Sequence, residues 1–180
     1  MRKQLTLEHE EVLITYEAKH DKKTVDWLNS PELKSTFGLN YPIDESSHRT
    51  WIETNQNVLI WAIVSPTGEH VGNVLLTVTE RHRSGYFQIY IGEPSARGQG
   101  LGEKALKITL SRAFNQLGLH RIWLHSFEKN MIAERLYVKQ GFTLEGTERD
   151  ALFHDGSYIS QRRWSLLKYE WHEYNDIEDL

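Results

Sequence analysis

The sequence contains no cysteine among its 180 residues. That excludes disulfides, a thiol nucleophile and thiolate metal sites, and it fits a reducing compartment. No apolar run approaches membrane-spanning length, and residues 1–11 lack the apolar core of a signal peptide. A cytoplasmic protein with no membrane partner is therefore expected. The nine histidines are scattered and form no His-Glu-x-x-His or comparable cluster, so no metal is expected. A net charge of −4 argues against a nucleic-acid partner. There is no repeat, no low-complexity segment and no interdomain linker. Residues 1–172 read as a single domain and 173–180 as an acidic tail.

What is present is an ordinary globular composition, 39% hydrophobic and 26% charged, with six Trp and eight Tyr that either pack or line a cleft. The charge is unevenly spread. Residues 95–140 hold eight Lys/Arg against three acids, so this stretch carries +5 and the rest −9. A basic half suits a polyanionic ligand. An acidic remainder suits either a cationic substrate or a solvated surface.

Periodicity predicts strands over 12–17, 58–64, 70–79 and 86–91, the last three as an antiparallel meander. A tight turn is expected at Ser65 to Gly68 and a bulge at Gly72. Helices are expected over 22–28, 31–36 and 44–56, the last with Asp44 as N-cap and Trp51 and Ile52 inward. The strongest helix runs over 100–117, burying Leu106, Leu110, Ala113, Phe114 and Leu117, with Gly118 as its stop. A strand over 120–127, a helix over 130–140 capped by Gly141, a strand from 142 and a strand over 157–171 follow. The pattern is one mixed α/β sheet with helices on its faces.

Between the strand 86–91 and the long helix lies Pro94 to Gly102. Its three glycines and Arg97, at a strand-to-helix turn, make a nest of backbone N–H groups suited to phosphate. No Walker string G-x-x-x-x-G-K-[ST] occurs. A dinucleotide fingerprint fails because Glu103 stands where its third glycine belongs, and a meander precedes it. What remains is Arg97-x-x-Gly100-x-Gly102, followed one strand later by Asn130-x-x-Ala133-x-x-Leu136-Tyr137-x-Lys139-x-Gly141-Phe142. Both resemble the motifs of the GNAT (GCN5-related N-acetyltransferase) superfamily, in the order that family uses. The resemblance runs from the meander to the last strand. It is nearest to the branch of ribosomal-protein alanine, spermidine and amino-sugar acetyltransferases, and weakest in the N-terminal third.

The resemblance implies a mixed, mostly antiparallel sheet of about seven strands flanked by helices, with a splayed parallel strand pair that holds coenzyme A. It implies that backbone groups of Ile89, Tyr90 and Ile91 pair with the pantetheine amides. The amides of Arg97, Gly98, Gln99, Gly100, Leu101 and Gly102 would hold the pyrophosphate, with Arg97 adding charge. Asn130 would cap its helix and reach the ligand. Tyr137 would be the general acid toward the departing thiolate, because a phenol is protonated at neutral pH. His48 and Trp51 are candidates for the acceptor cleft by fold analogy. The general base is left open; Glu80, His82 and Glu93 stand near strand ends. The expected activity is transfer of acetyl from acetyl-CoA to a primary amine: a polyamine, an amino sugar, an aminoglycoside-like compound or a protein N-terminus. The alternative is a CoA-binding regulatory protein without turnover. A homodimer is compatible with the family.

Overall fold

A computed structural model describes residues 12–171 except Gly38, Asn40, Lys129 and Asp155, and gives no account of the Thr36 and His154 side chains. The tail expected over 173–180 and residues 1–11 lie outside the described residues, as does the Asp155 half of the last turn.

Seven strands form one sheet in the order β1-β2-β3-β4-β5-β7-β6. These are β1 (Leu13–Thr15), β2 (Val58–Val64), β3 (His70–Thr79), β4 (Ser84–Ile91), β5 (Arg121–Phe127), β6 (Thr143–His154) and β7 (Ser157–Leu167). All neighbours are antiparallel except β4 and β5. The helices are α1 (Asp21–Leu28), α2 (Pro31–Phe37), α3 (Glu45–Thr54), α4 (Leu101–Ser111) and α5 (Met131–Lys139). The expected architecture is therefore present.

The first strand is shorter than expected because Glu17 begins a turn. Its N–H donates to Nδ1 of His20 at 2.9 Å, and a 3-10 turn (Ala18–His20) leads straight into α1. In α3, Asp44 caps as expected: its Oδ1 accepts from the Ser47 N–H at 2.8 Å, and Ser47 Oγ accepts from the Asp44 N–H at 3.2 Å. Ile52 is buried, but Trp51 is 41% exposed, which corrects its expected inward place. Neighbours on a helix point about 100° apart, and here Ile52 takes the inner face while Trp51 stands at its edge.

The bulge expected at Gly72 is present: the register passes from Ile63↔Gly72 to Val64↔His70, with Val71 as the extra residue. Gly72 has a second reason to be glycine. A Cβ there would stand 2.2 Å from the Tyr90 carbonyl oxygen of β4.

The core lies between α4 and one face of the sheet. Leu106, Leu110, Ala113 and Phe114 are buried against Leu76, Phe87, Ile122, Leu124 and Leu166. The helix ends in one π turn, with the Leu117 N–H on the Arg112 carbonyl at 2.9 Å, and Gly118 follows at φ +67°. β6 runs far beyond the short strand expected from residue 142. It pairs along β7 with two irregularities, after Leu144 and after Glu148. β7 ends at Leu167 rather than 171.

Candidate active site

β4 and β5 begin as a parallel pair and then part. They are paired only at Ser84↔Arg121, Gly85↔Ile122 and Tyr86↔Trp123. Beyond that, β4 stays with β3 as far as Ile91, and β5 stays with β7. The facing edges of residues 87–91 and 124–127 open as a wedge, and a cavity of about 180 Å³ lies in it. Gln88 and Ile89 line it from β4, His125 and Ser126 from β5, and Asn130 and Tyr137 from α5. Ile89, Tyr90 and Ile91 are thus on the strand edge expected of them. The Ile91 carbonyl already accepts a hydrogen bond, from Arg97 Nε at 3.1 Å.

The glycine turn sits past the end of β4. Gly98 and Gly100 have φ of +74° and +75°, a region that residues with a Cβ rarely adopt. Around Gly98, Gly100 and Gly102 an added Cβ would meet nothing within 4 Å, so the turn faces open space. Gly100 is the N-cap of α4, and the first i→i−4 bond of the helix is Lys104 N–H on the Gly100 carbonyl at 3.1 Å. The N–H groups of Leu101, Gly102 and Glu103 therefore head the helix with no carbonyl partner inside it. Leu101 buries its side chain in the core and offers only backbone. Gln99 ties the turn to itself, Nε2 on the Ser95 carbonyl at 2.8 Å. Arg97 Nη1 donates to both carboxylate oxygens of Glu32, at 2.8 and 2.9 Å. The turn has the room and the donors that a pyrophosphate requires.

Asn130 caps α5, its Oδ1 accepting the Ala133 N–H at 3.2 Å. The helix is clamped to the sheet by buried Glu134. That carboxylate accepts from Arg162 Nη1 at 2.7 Å and from Ser126 Oγ at 3.4 Å, and Ser126 accepts from Trp164 Nε1 at 3.0 Å. Tyr137 packs its ring on Phe142 and Trp164, with centroids 5.8 and 6.2 Å away. Burial, and secondarily the nearby Tyr86, pushes its phenol above the ordinary value, so it stays protonated at neutral pH. Across the wedge, His125 Nδ1 is 3.4 Å from Tyr86 Oη. Its Nε2 is 3.1 Å from Glu148 Oε2, off the line of a good hydrogen bond. Gln161 Nε2 donates to Glu148 at 2.6 Å and, with burial opposing, holds its carboxyl below the usual range.

A second cavity, of about 400 Å³, lies beside the first and shares Phe37 and Gln88 with it. His48 and Trp51, expected near an acceptor, both line it. His48 is buried, and burial lowers its pKa, so its ring is neutral at pH 7. Its Nε2 is 3.1 Å from Tyr16 Oη. Burial raises the Tyr16 phenol and pushes Tyr90 up to about 12. Asn73 stands behind them. Its Nδ2 donates to Thr24 Oγ1 at 2.9 Å and Tyr90 Oη at 2.7 Å, and its Oδ1 is 2.8 Å from His70 Nε2.

Glu80 and His82 lie in the turn between β3 and β4, at the paired end of the wedge, and neither they nor Glu93 lines either cavity. Sequence reasoning missed Tyr16, Phe37, Asn73 and Gln88. Only Gln88 carried a signal, as the polar member of the alternating face Tyr86, Gln88, Tyr90. Among the described residues no group of His, Asp or Glu gathers as a metal site, and no helix is long and apolar enough to cross a membrane.

Comparison with known proteins agrees with this geometry. A spermidine N(1)-acetyltransferase of Escherichia coli K12 is 31% identical over 110 residues, covering 61% of this chain and 59% of that protein. The chain therefore spans less than two thirds of the length of this relative. An alpha/beta-tubulin-N-acetyltransferase 9 of Drosophila melanogaster is 26% identical over 167 residues, 83% of this chain and 82% of that one. In fold, the crystal structure of the Vibrio cholerae spermidine N-acetyltransferase with CoA and spermine superposes with a TM-score of 0.81 at 24% identity, over 89% of this chain and 96% of the other. The family model for the acetyltransferase (GNAT) domain matches residues 12–143. This chain belongs to the GNAT acetyltransferase family.

Proposed function

We propose that the protein is an acetyl-CoA-dependent N-acetyltransferase that transfers acetyl directly to a primary amine in a ternary complex. One observation carries this reading. The wedge with Tyr137 and the cavity with His48 share the walls Phe37 and Gln88, so a thioester in one can face an amine in the other. The relatives named above, which act on spermidine or bear the name of a tubulin acetyltransferase, support the amine as acceptor.

In this reading the edge of Ile89, Tyr90 and Ile91 takes the pantetheine arm like an added strand. The amides from Arg97 to Gly102 hold the pyrophosphate at the start of α4, and Arg97 exchanges Glu32 for it. Asn130 positions α5 and borders the arm. The amine nitrogen attacks the thioester carbonyl carbon, and the C–S bond breaks. Tyr137 gives its phenolic proton to the leaving sulfur. His48, neutral and joined to Tyr16, takes the proton that the amine loses. Both groups are restored through solvent. Residues 1–172 act as one domain.

Thiol release from acetyl-CoA with a panel of amines, and mass detection of the acetylated products, tests the reading. Product heavier by one acetyl group is expected. Tight CoA binding without release for any amine would leave only a CoA-binding module.

A further inference from the structure

The second cavity has an unusual wall for an enzyme related to polyamine acetyltransferases. Among the described residues that line it there is no Asp and no Glu. Its sides are Phe37, Ile43, Ile60 and Leu75, and its mouth carries Tyr41 and Trp51, which are 67% and 41% exposed. Two large rings left in solvent at a cavity mouth are apolar surface for a ligand to cover.

Much of the polar part of the wall is bonded to itself. Tyr16 Oη and His48 Nε2 share a hydrogen bond. Both amide protons of Asn73 go to Thr24 and Tyr90, and its oxygen faces His70. A buried carboxylate, Asp21 at the start of α1, stands behind Tyr16 and His48 but does not line the cavity. Arg49 Nε donates to its Oδ2 at 2.8 Å, and its Oδ1 has no hydrogen-bond partner among the described residues. Burial keeps the Tyr16 and Tyr90 phenols neutral, and His48 carries no negative charge in either of its forms.

A linear polyamine keeps at least one ammonium after its reacting amine has lost a proton. Burying that charge in a cavity that no carboxylate lines is strongly unfavourable. An amine on an uncharged apolar body meets no such penalty, because its single nitrogen goes to the Gln88 junction and the rest meets rings and aliphatic chains. We propose that the acceptor is a monoamine carried on an apolar body, either a free arylalkylamine or the apolar N-terminal residue of a peptide, and not a polyamine. This rests on the acetyltransferase reading and names the substrate class of its acceptor cavity.

The test is steady-state acetylation with acetyl-CoA of three acceptors: 2-phenylethylamine, a tripeptide with an N-terminal leucine, and spermidine. The first or second is expected to exceed spermidine in kcat/KM by about ten-fold or more, and which one does so identifies the source of the amine. Calorimetric titration of the CoA-bound protein should rank the same acceptors alike. Spermidine equal to or better than both would overturn the inference and leave the acetyltransferase reading standing. No acetylation and no thiol release with any of the three would overturn both.

Discussion

Tyr16, just past the end of β1, and His48 on α3, 32 residues apart, meet through a 3.1 Å hydrogen bond in the wall of the larger cavity. The ring of Trp51 lies nearly parallel to His48, with centroids 6.4 Å apart. The pair and the indole form one side of the space into which an acceptor would enter. Replacing both side chains, His48→Ala with Trp51→Ala, removes that side without touching the glycine turn. The acceptor KM should rise about ten-fold or more while CoA affinity stays within about two-fold. Steady-state kinetics with calorimetry for CoA decides it, and an unchanged acceptor KM in the folded variant would take α3 out of the acceptor site.

A second expectation concerns acid. His20 is buried beside Tyr16 and His70, and its Nδ1 accepts the Glu17 N–H. Burial first, then the neighbouring His70, lowers its pKa from 6.5 to about 4. With the folded value below the unfolded one, the unfolded chain binds more protons between them. The stabilisation is present above pH 6.5 and is lost as pH falls to about 4. It amounts to about 3 kcal/mol, and His48 and His70 shift in the same direction. Glu145, held at about 2 chiefly by its bonds to Arg121, titrates in a lower window. Thermal melts should therefore fall by about 10 °C between pH 6.5 and 4. His20→Asn keeps an acceptor for the Glu17 N–H and removes the titration, so its melts should fall less; an identical fall would clear His20 of the effect.

The proposed cofactor half of the site could be read in the sequence from local motifs, whereas of the proposed acceptor half only His48 and Trp51 were named, by fold analogy, for a physical reason. Gly98 to Gly102 and Asn130 to Tyr137 are contiguous stretches whose glycines, cap and helical spacing act locally. The cavity of Tyr16, His48, Asn73 and Gln88 is assembled from the segment after β1, α3, β3 and β4 by tertiary packing, which no local pattern encodes. Trp51 shows the limit within one helix: its neighbour Ile52 claims the inner face, and the indole is left at the cavity mouth. A lone glycine in a strand pattern signals either a bulge or a close approach, and Gly72 stands at both: the register shift begins at it and the Tyr90 carbonyl lies against it.

Arg97 is held by Glu32 through an ion pair in which both side chains are well exposed, 36% and 61%. Such a pair contributes less than about 1 kcal/mol, so a pyrophosphate can take the guanidinium from it. Glu32→Gln removes the competing carboxylate. CoA should then bind up to about five-fold more tightly, and Arg97→Ala should weaken it, both effects shrinking with added salt. Calorimetry at two ionic strengths measures this. Looser CoA binding by Glu32→Gln would mean that Glu32 orients Arg97 rather than competing for it.

Gly102 lies in the first turn of α4 with nothing within 4 Å of an added Cβ. Alanine is the better helix former by about 1 kcal/mol, so Gly102→Ala should melt at the same temperature or a few degrees higher. The new methyl leaves the N–H groups that head the helix in place, so CoA affinity should stay within about two-fold. A loss of about ten-fold or more with raised stability would show that the pyrophosphate needs the space that the methyl fills.

Tyr137 offers the sharpest division between holding the thioester and breaking it. Its ring is fixed between Phe142 and Trp164, so Tyr137→Phe keeps the packing and deletes one oxygen. That oxygen is protonated across the whole working range, since burial raises the phenol. If it donates to the leaving sulfur, kcat should fall about ten-fold or more while the Kd of acetyl-CoA is unchanged. A thioester analogue whose free thiol is much more acidic needs less help to leave, so the deficit should shrink with it. Equal turnover of acetyl-CoA by the Phe variant would remove the acid role and leave Tyr137 as a wall of the wedge.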